Sequence, residues 1–175
     1  MATATSRPDG FGFKRLTTKN WLAADPVWQH FSHPPGLDPD LAWADDVLRH
    51  GLTRAVPLAV QRQFEVGRGA LVYGFLFYPL LTLGTDQLFR VLEAGVNAKC
   101  EALHAPANRR SFLQKLTWLV ETGNIPESER KRWDTARLLR NHSTHARDQN
   151  IYDPTLALDA LRLTVELINA LFLSG

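Results

Sequence analysis

The sequence predicts an all-helical fold, with an antiparallel helical bundle as the simplest packing and an irregular arm at the N-terminus. Three observations carry this prediction. Apolar residues recur at helical spacing from residue 40 onward, typical helix starts and stops bracket these segments, and no useful length of chain alternates like a strand. The 175 residues, 45% of them hydrophobic and 22% charged, suffice for one domain with a buried core.

The chain divides by composition into an irregular arm, residues 1–40, and a helical domain, residues 41–175. Five of the ten prolines lie in the arm, and proline resists helix interiors because it lacks a backbone donor. We expect Trp21, Trp28 and Phe31 to hold the arm as apolar anchors. The segment "DPVWQHF" within the arm is expected to form one helical turn.

The first half of the domain contains three predicted helices. The first begins near Asp38 in "DPDLAWADDVLRHGL". The second, in "PLAVQRQFEVGRGALVYGFLFY", is expected to be interrupted near Gly67 and Gly69, because glycine is a poor helix former. Pro79 is expected to begin or kink a long third helix. Its apolar stripe comprises Leu81, Leu88, Val91, Leu92 and Val96.

Local start and stop residues also define two later helices. Ser111 is a candidate N-cap for the helix "SFLQKLTWLVETG", and Gly123 is a candidate C-cap. Asp153 and Pro154 suit the N-cap and the first position of a final amphipathic helix. These residue types favour helix ends because they satisfy or avoid the unpaired backbone groups found there.

The helix between these two carries most of the charge in the second half. Pro126 and the two acids that follow it are typical of a helix start, because acids stabilise the positive end of the helix dipole. We interpret Trp133 as a core residue, although its ring could also stack on a base. Leu138 and Leu139 are expected to lie in the core as well.

Residues 70–84 form an uncharged run of about 15 residues, shorter than the ~20 that a membrane-spanning helix needs. The run contains Pro79, and we interpret it as a buried core segment. The single cysteine, Cys100, and the lack of an apolar signal-peptide core near the N-terminus favour a cytoplasmic location. Because the run is too short to span a bilayer, no membrane partner is predicted. No glycine-rich phosphate loop and no H-E-x-x-H motif is present, and no cofactor is predicted.

The basic surplus of the chain is concentrated around "RLLRNHSTHARD", residues 137–148. Residues 106–150 contain nine Lys and Arg against five Asp and Glu, a balance of +4, while the whole chain carries only +2. Such a local positive field attracts phosphate. A solvated helix face with no binding role is the competing interpretation.

Arg140 and His145 are of the two residue types that together suffice for phosphodiester chemistry on RNA without a metal, although a surface helix end would also favour them. An imidazole exchanges protons near neutral pH, and a guanidinium stabilises the negative charge that builds on phosphorus. The two positions lie about 140° apart on an unbroken helix. The intervening residues are weak helix formers, so the helix could end here and let both side chains face one cleft.

A metal site is the alternative that the same segment leaves open. His142, His145 and Asp148 are spaced three residues apart, so one helix face would offer them to a divalent ion. The spacing is a loose signal, and it fails if the helix ends within the segment. No metal site is therefore predicted.

The segment "RNHSTH", residues 140–145, resembles the R-N-x-x-x-H signature of HEPN domains (higher eukaryote and prokaryote nucleotide-binding). Its context is also similar to that family. The motif comes late in a helix, in the second half of a helical domain, and a final amphipathic helix follows. The resemblance covers roughly residues 70–174 and implies a HEPN-type bundle.

The resemblance implies a metal-independent endoribonuclease with a toxin, defence or RNA-processing role. Arg140 and His145 would form the catalytic pair, and Asn141 would orient a catalytic group or the substrate. Arg137, His142 and Arg147 would contact the RNA. The active unit of such domains is usually a homodimer, which brings two motifs to one cleft, so Arg and His need not meet within one chain.

The chain also departs from the family. Some toxins of this kind carry a tyrosine two residues after the histidine, which a partner nucleotidyltransferase modifies; Arg147 occupies that position here. That departure puts this form of silencing in doubt, although an antitoxin or nucleotidyltransferase partner remains an open prediction. The first 65 residues match nothing in the family. A non-catalytic module that binds RNA, a nucleotide or a protein is the alternative function, and a helical structural protein with a coincidental motif is a third.

Overall fold

A computed structural model describes residues 12–31, 38–144 and 152–173, with the side chains of residues 139–144 excepted. These ranges contain helices and turns but no strand, so the predicted all-helical fold is confirmed for them. The α-helices are α1 (Pro39–Leu48), α2 (Leu58–Tyr73), α3 (Leu80–Ala102), α4 (Phe112–Glu121), α5 (Arg130–Thr144) and α6 (Pro154–Leu173). Two short 3₁₀ turns, Pro26–His30 and Glu127–Glu129, precede α1 and α5.

The predicted N-caps of α4 and α6 are confirmed, whereas the C-cap of α4 is Thr122 and the predicted Gly123 is the residue after it. The Ser111 hydroxyl accepts a hydrogen bond from the Gln114 N–H at 3.2 Å, while the Gln114 side chain accepts one from the Ser111 N–H at 3.0 Å. Gly123 follows the end of α4 with φ of +74°, which glycine adopts without strain. Asp153 accepts from the Leu156 N–H at 2.9 Å, and α6 begins at Pro154.

The pair α2 and α3 is antiparallel, and close glycine contacts hold it together. A Cβ at Gly67 would lie 3.2 Å from the Gly84 carbonyl oxygen, so neither position has room for a side chain without movement. The predicted interruption at Gly67 and Gly69 is wrong, since α2 is continuous to Tyr73. Burial of Gly67 against α3 outweighs the ~1 kcal/mol that glycine costs within a helix.

The pair α3 and α6 runs in the same direction. The Tyr152 N–H, just before α6, donates to the Thr82 hydroxyl near the start of α3 at 3.0 Å. Further along both helices, Gly95 lies against Ile168 so closely that a Cβ would meet its Cδ1 at 2.3 Å. The expected antiparallel packing therefore holds for α2 and α3 but is wrong for α3 and α6. Two intervening helices, α4 and α5, bring the chain back to the first end of α3.

The described part of the arm packs on the turn between α2 and α3. The Trp28 indole N–H donates to the Gly74 carbonyl at 3.1 Å, and its ring lies 4.9 Å from that of Trp43. Trp28 is buried and Phe31 is partly buried, as expected of anchors, but Trp21 is exposed and that prediction is wrong. The 3₁₀ turn at Pro26–His30 confirms the helical turn that was expected in "DPVWQHF". Residues 1–11 and 32–37 of the arm lie outside the described residues.

The run at residues 70–84 is the centre of the core. Leu71, Tyr78 and Leu81 are buried, and so are all five residues of the stripe predicted on α3. The interpretation of this run as a core segment is confirmed. None of the helices in the described ranges combines the length and the apolar character that a bilayer-spanning segment needs.

Candidate functional site

The candidate motif begins in the last turns of α5, which extends as far as Thr144. The backbone of Arg140, Asn141 and His142 is helical, while their side chains lie outside the described residues, as do all of His145 and Arg147. How Arg140 faces His145 therefore remains a prediction. Five of the six motif residues, 140–144, thus have helical backbone, and His145 follows the described end of α5.

Different positions of the motif lie on different sides of α5. Trp133 and Ala136 are buried against the bundle. Arg140 comes seven residues after Trp133 and four after Ala136, so its backbone position is on the same side of the helix. Leu138 lies on the opposite side and is 53% exposed, and the His142 position follows it by one turn. The expectation that Leu138 is a core residue is thus wrong, whereas that for Trp133 is confirmed. The side chain of Leu139 lies outside the described residues.

Acidic neighbours neutralise the arginines of α5 that precede the motif. Arg137 Nε lies 3.4 Å from the Asp134 carboxylate, and Arg130 lies within ion-pair distance of the same acid. Arg132 pairs with Glu129 at 2.9 Å and with Glu166 on α6. The hydrogen bond to Glu166 is the main cause that raises the pKa of the Arg132 guanidinium.

This pairing weakens the basic field inferred from the sequence. A charge count assumes that each cation is available to a phosphate, but a cation held by a carboxylate exerts a smaller net field. Arg137, predicted to contact RNA, would have to share or leave Asp134 in order to do so. Arg140 and Arg147 then carry most of the predicted phosphate binding.

The connection after the motif returns to the start of α3. Besides the hydrogen bond from Tyr152 to Thr82, the pKa of the Tyr152 phenol is raised by burial and by the charge of Asp86 on α3. Tyr152, the first described residue after α5, is therefore fixed on α3. Of the motif, only His145 follows the end of α5, and it lies outside the described residues.

The N-terminal arm reaches the same end of the bundle. The buried Asp25 carboxylate accepts hydrogen bonds from the N–H groups of Lys14 at 3.1 Å and Tyr78 at 3.2 Å. The pKa of Tyr78 is raised to about 12 by burial and by the nearby charges of Asp153 and Asp25. Asp25 and Asp153 are thus both close enough to affect Tyr78, and the arm and the start of α6 share this end.

The sequence analysis did not single out Asp25, although a local signal was present. An aspartate directly before a proline is typical of a helix start, and Asp25 caps the 3₁₀ turn by accepting from the Val27 N–H at 3.2 Å. Nothing in the sequence signals that Lys14 is buried beside it. That burial follows from tertiary contacts alone.

No group of three potential metal ligands occurs among the described residues. The alternative metal site needs His142, His145 and Asp148, whose side chains lie outside those residues.

Comparison assigns no family to this all-helical protein. No protein-family model, curated protein or solved structure matches the chain. The resemblance to HEPN domains consequently rests on the motif and on the order of helices around it.

Proposed function

We propose that this chain is a HEPN-type, metal-independent endoribonuclease that acts as a homodimer. The observation that carries the proposal is the position of the R-N-x-x-x-H motif. The motif starts at Arg140 in the last turns of α5, within the second half of an all-helical chain, and the long amphipathic α6 follows it. A toxin, defence or RNA-processing role would follow from the same activity.

The chemistry needs only the groups of the motif and the RNA itself. The ribose 2′-hydroxyl attacks the adjacent phosphorus, and the bond to the 5′-oxygen of the next nucleotide breaks. An imidazole such as that of His145 takes the 2′ proton or gives one to the leaving oxygen. Arg140 stabilises the charge on the phosphorane, and Asn141 orients the reacting groups. The products are a 2′,3′-cyclic phosphate and a free 5′-hydroxyl.

The helical register of Arg140 supports a dimeric site. Arg140 shares the line of the buried Trp133 and Ala136, and the position of His145 lies about 140° further round if the helix is extended to it. In a dimer the Arg of one chain can meet the His of its partner, so the two side chains do not have to lie on the same side of one helix. The exposed Leu138, one turn before His142, offers an apolar contact for that partner.

The test is cleavage of single-stranded RNA by the purified protein in EDTA. Wild type should cut, whereas Arg140→Ala and His145→Ala should each lose at least ~100-fold in rate while retaining their helicity. Arg162→Ala and His104→Asn are matched controls, because both residues are exposed on other parts of the chain and should leave the rate unchanged.

Two results would contradict the proposal. Cleavage that requires a divalent metal would favour the His142, His145 and Asp148 site instead. Salt-sensitive RNA binding without cleavage would favour the non-catalytic module.

A further inference from the structure

Residues 14–25 form a closed loop, here termed the Trp21 loop, which a buried lysine holds together. Lys14 is 3% exposed, and its ammonium group donates to the carbonyls of Asn20 at 3.0 Å and Ala23 at 2.5 Å. Its backbone N–H donates to Asp25, which closes the loop at its base. A buried ammonium costs several kcal/mol unless its hydrogen bonds are made, so these contacts fix the path of the loop.

A second set of hydrogen bonds fixes the apex of the loop. The Asn20 amide donates to the Arg15 carbonyl at 2.9 Å, and its oxygen accepts from the Thr17 N–H at 2.8 Å. The Asn20 side chain therefore ties the second half of the loop to Arg15 and Thr17 in the first half. A ligand that binds the apex would meet a preformed surface and would pay little ordering entropy.

This fixed apex presents large apolar side chains to solvent. Trp21 is 58% exposed, and Leu16 and Leu22 in the same loop are exposed to a similar degree. By contrast, Trp28, Trp43 and Trp133 are buried in the core. A rigid loop that holds an indole ring in water is typical of a binding surface rather than of a packing element.

The charge of the loop favours an anionic ligand. The Trp21 loop contains three basic residues and one acidic residue, the buried Asp25 at its base. Lys14 is consumed by the internal hydrogen bonds, but Lys19 lies exposed at the apex, two residues before Trp21. An aromatic ring beside a cation is the pairing with which proteins bind single-stranded nucleic acid, since the ring stacks on a base and the cation contacts a phosphate.

The Trp21 loop lies at the end of the bundle where α6 begins. The base of the loop is Asp25, which accepts a hydrogen bond from the Tyr78 N–H, and the pKa of Tyr78 is also raised by the charge of Asp153, the residue before α6.

We propose that the Trp21 loop is an accessory binding surface for single-stranded RNA, with Trp21 stacking on a base and Lys19 contacting a phosphate. The proposal rests on the proposed ribonuclease function and extends its substrate site. A protein partner is less favoured, because three half-exposed side chains offer a few hundred Å², well below the ~800 Å² that each side of a stable interface buries.

Binding is best measured apart from cleavage, with a 2′-O-methyl oligouridine that lacks the attacking hydroxyl. Full-length Trp21→Ala should bind it about 5- to 100-fold more weakly than wild type, the usual range for loss of one stacked base. Trp21→Phe should retain most of the affinity, and wild-type indole fluorescence should fall on binding. Lys19→Ala should bind more weakly and with a smaller dependence on salt.

The matched controls are Leu58→Ala and Arg54→Ala, which remove an exposed apolar and an exposed basic side chain at the other end of α2. Both should bind like wild type. Equal affinity of Trp21→Ala and wild type would overturn the proposal, as would dependence on Trp21 for binding to phosphatidylserine vesicles but not to RNA. If RNA binding needs Trp21 but ordinary RNA is not cleaved, the proposed binding role of the Trp21 loop is supported and the proposed ribonuclease activity is refuted. If cleavage needs Arg140 and His145 but Trp21→Ala binds RNA normally, the ribonuclease activity is supported and the binding role of the loop is refuted.

Discussion

At the scale of single residues, Asp25 shows how one buried carboxylate can organise a whole end of the molecule. It accepts N–H groups from three separate places: Lys14 at the loop start, Val27 in the 3₁₀ turn and Tyr78 before α3. Hydrogen bonds to a charged acceptor are about twice as strong as neutral ones, which offsets the cost of burying the carboxylate. The arm is held in place by this residue and by Trp28.

The phenol of Tyr78, next to Asp25, should make stability depend on pH in the alkaline range. Its pKa is raised from 10 to about 12 by burial and by the charges of Asp153 and Asp25. Between these values the unfolded chain loses the proton more readily than the folded chain, so stability falls as pH rises and is fully present below pH 10.

We expect the unfolding free energy of wild type to fall between pH 10 and 12 by up to ~1.4 kcal/mol per pH unit more than that of Tyr78→Phe. Urea titrations of both proteins across this range would measure the difference. Tyr73→Phe is the control. Because Tyr73 is exposed, this variant should show the same dependence of unfolding free energy on pH as wild type. Parallel pH profiles for wild type and Tyr78→Phe would contradict the prediction.

At the scale of helices, the distance between neighbouring backbones decides whether a glycine can be replaced by a larger residue. Gly84 on α3 faces α2, where a Cβ would lie 2.7 Å from the Leu71 Cδ2 and 3.0 Å from the Gly67 carbonyl. Gly69, two residues beyond Gly67 on α2, has open space where its Cβ would be. The same substitution should therefore have opposite effects at these two positions.

Gly84→Ala should destabilise the protein by ~1–3 kcal/mol, because the backbones of α2 and α3 would have to separate. Gly69→Ala should stabilise it by ~0.5–1 kcal/mol, because alanine is the better helix former and meets no neighbour. Thermal unfolding of both variants beside wild type measures the two shifts. A stabilising Gly84→Ala would show that α2 and α3 do not approach as closely as described.

Helix ends could be predicted from the sequence because their signals are local. Ser111, Gly123 and Asp153 act within three residues of themselves, so the residue type and its neighbours suffice. The continuity of α2 through Gly67 could not be predicted, since it depends on a partner helix far along the chain. The parallel packing of α3 and α6 could not be predicted either, because it also depends on contacts between residues far apart in the chain.

The candidate site divides in the same way. The residue types at Arg140 and His145 can be read from the sequence, and they supply the cation and the proton-transfer group that the proposed RNA cleavage requires. The sequence did not reveal the pairing of Arg137 with Asp134 or the exposure of Leu138, because both depend on the register of α5 and on the residues that surround it in the fold. Two adjacent leucines look alike in sequence, yet neighbouring helix positions differ by about 100°, so one can be exposed whatever the environment of the other.

At the scale of the whole molecule, the proposed activity depends on a second copy of the chain. Leu138 is 53% exposed on α5, close in sequence to the motif, and it is an apolar group that an interface on this helix would bury. Leu138→Glu should dissociate the dimer and lower RNA cleavage by at least ~10-fold, because a buried carboxylate is costly at an apolar interface. Leu48→Glu on α1, at similar exposure, is the control.

Sedimentation of both variants gives the oligomeric state, and circular dichroism shows whether each is folded. A Leu138→Glu protein that remains dimeric and active would place the interface elsewhere.

A mixture of two inactive variants tests whether the catalytic pair comes from both subunits. If Arg140 of one chain acts with His145 of its partner, a dimer of one Arg140→Ala chain and one His145→Ala chain retains one intact pair and lacks the other. Half of the dimers formed by coexpression are of this mixed kind, so the preparation should recover about a quarter of wild-type activity although each parent is inactive. RNA cleavage in EDTA by the coexpressed and the separately purified proteins measures this recovery. A catalytic pair within one chain predicts no recovery, since every subunit then lacks one of its two groups, and that result would refute the shared site while leaving cleavage by each intact chain possible.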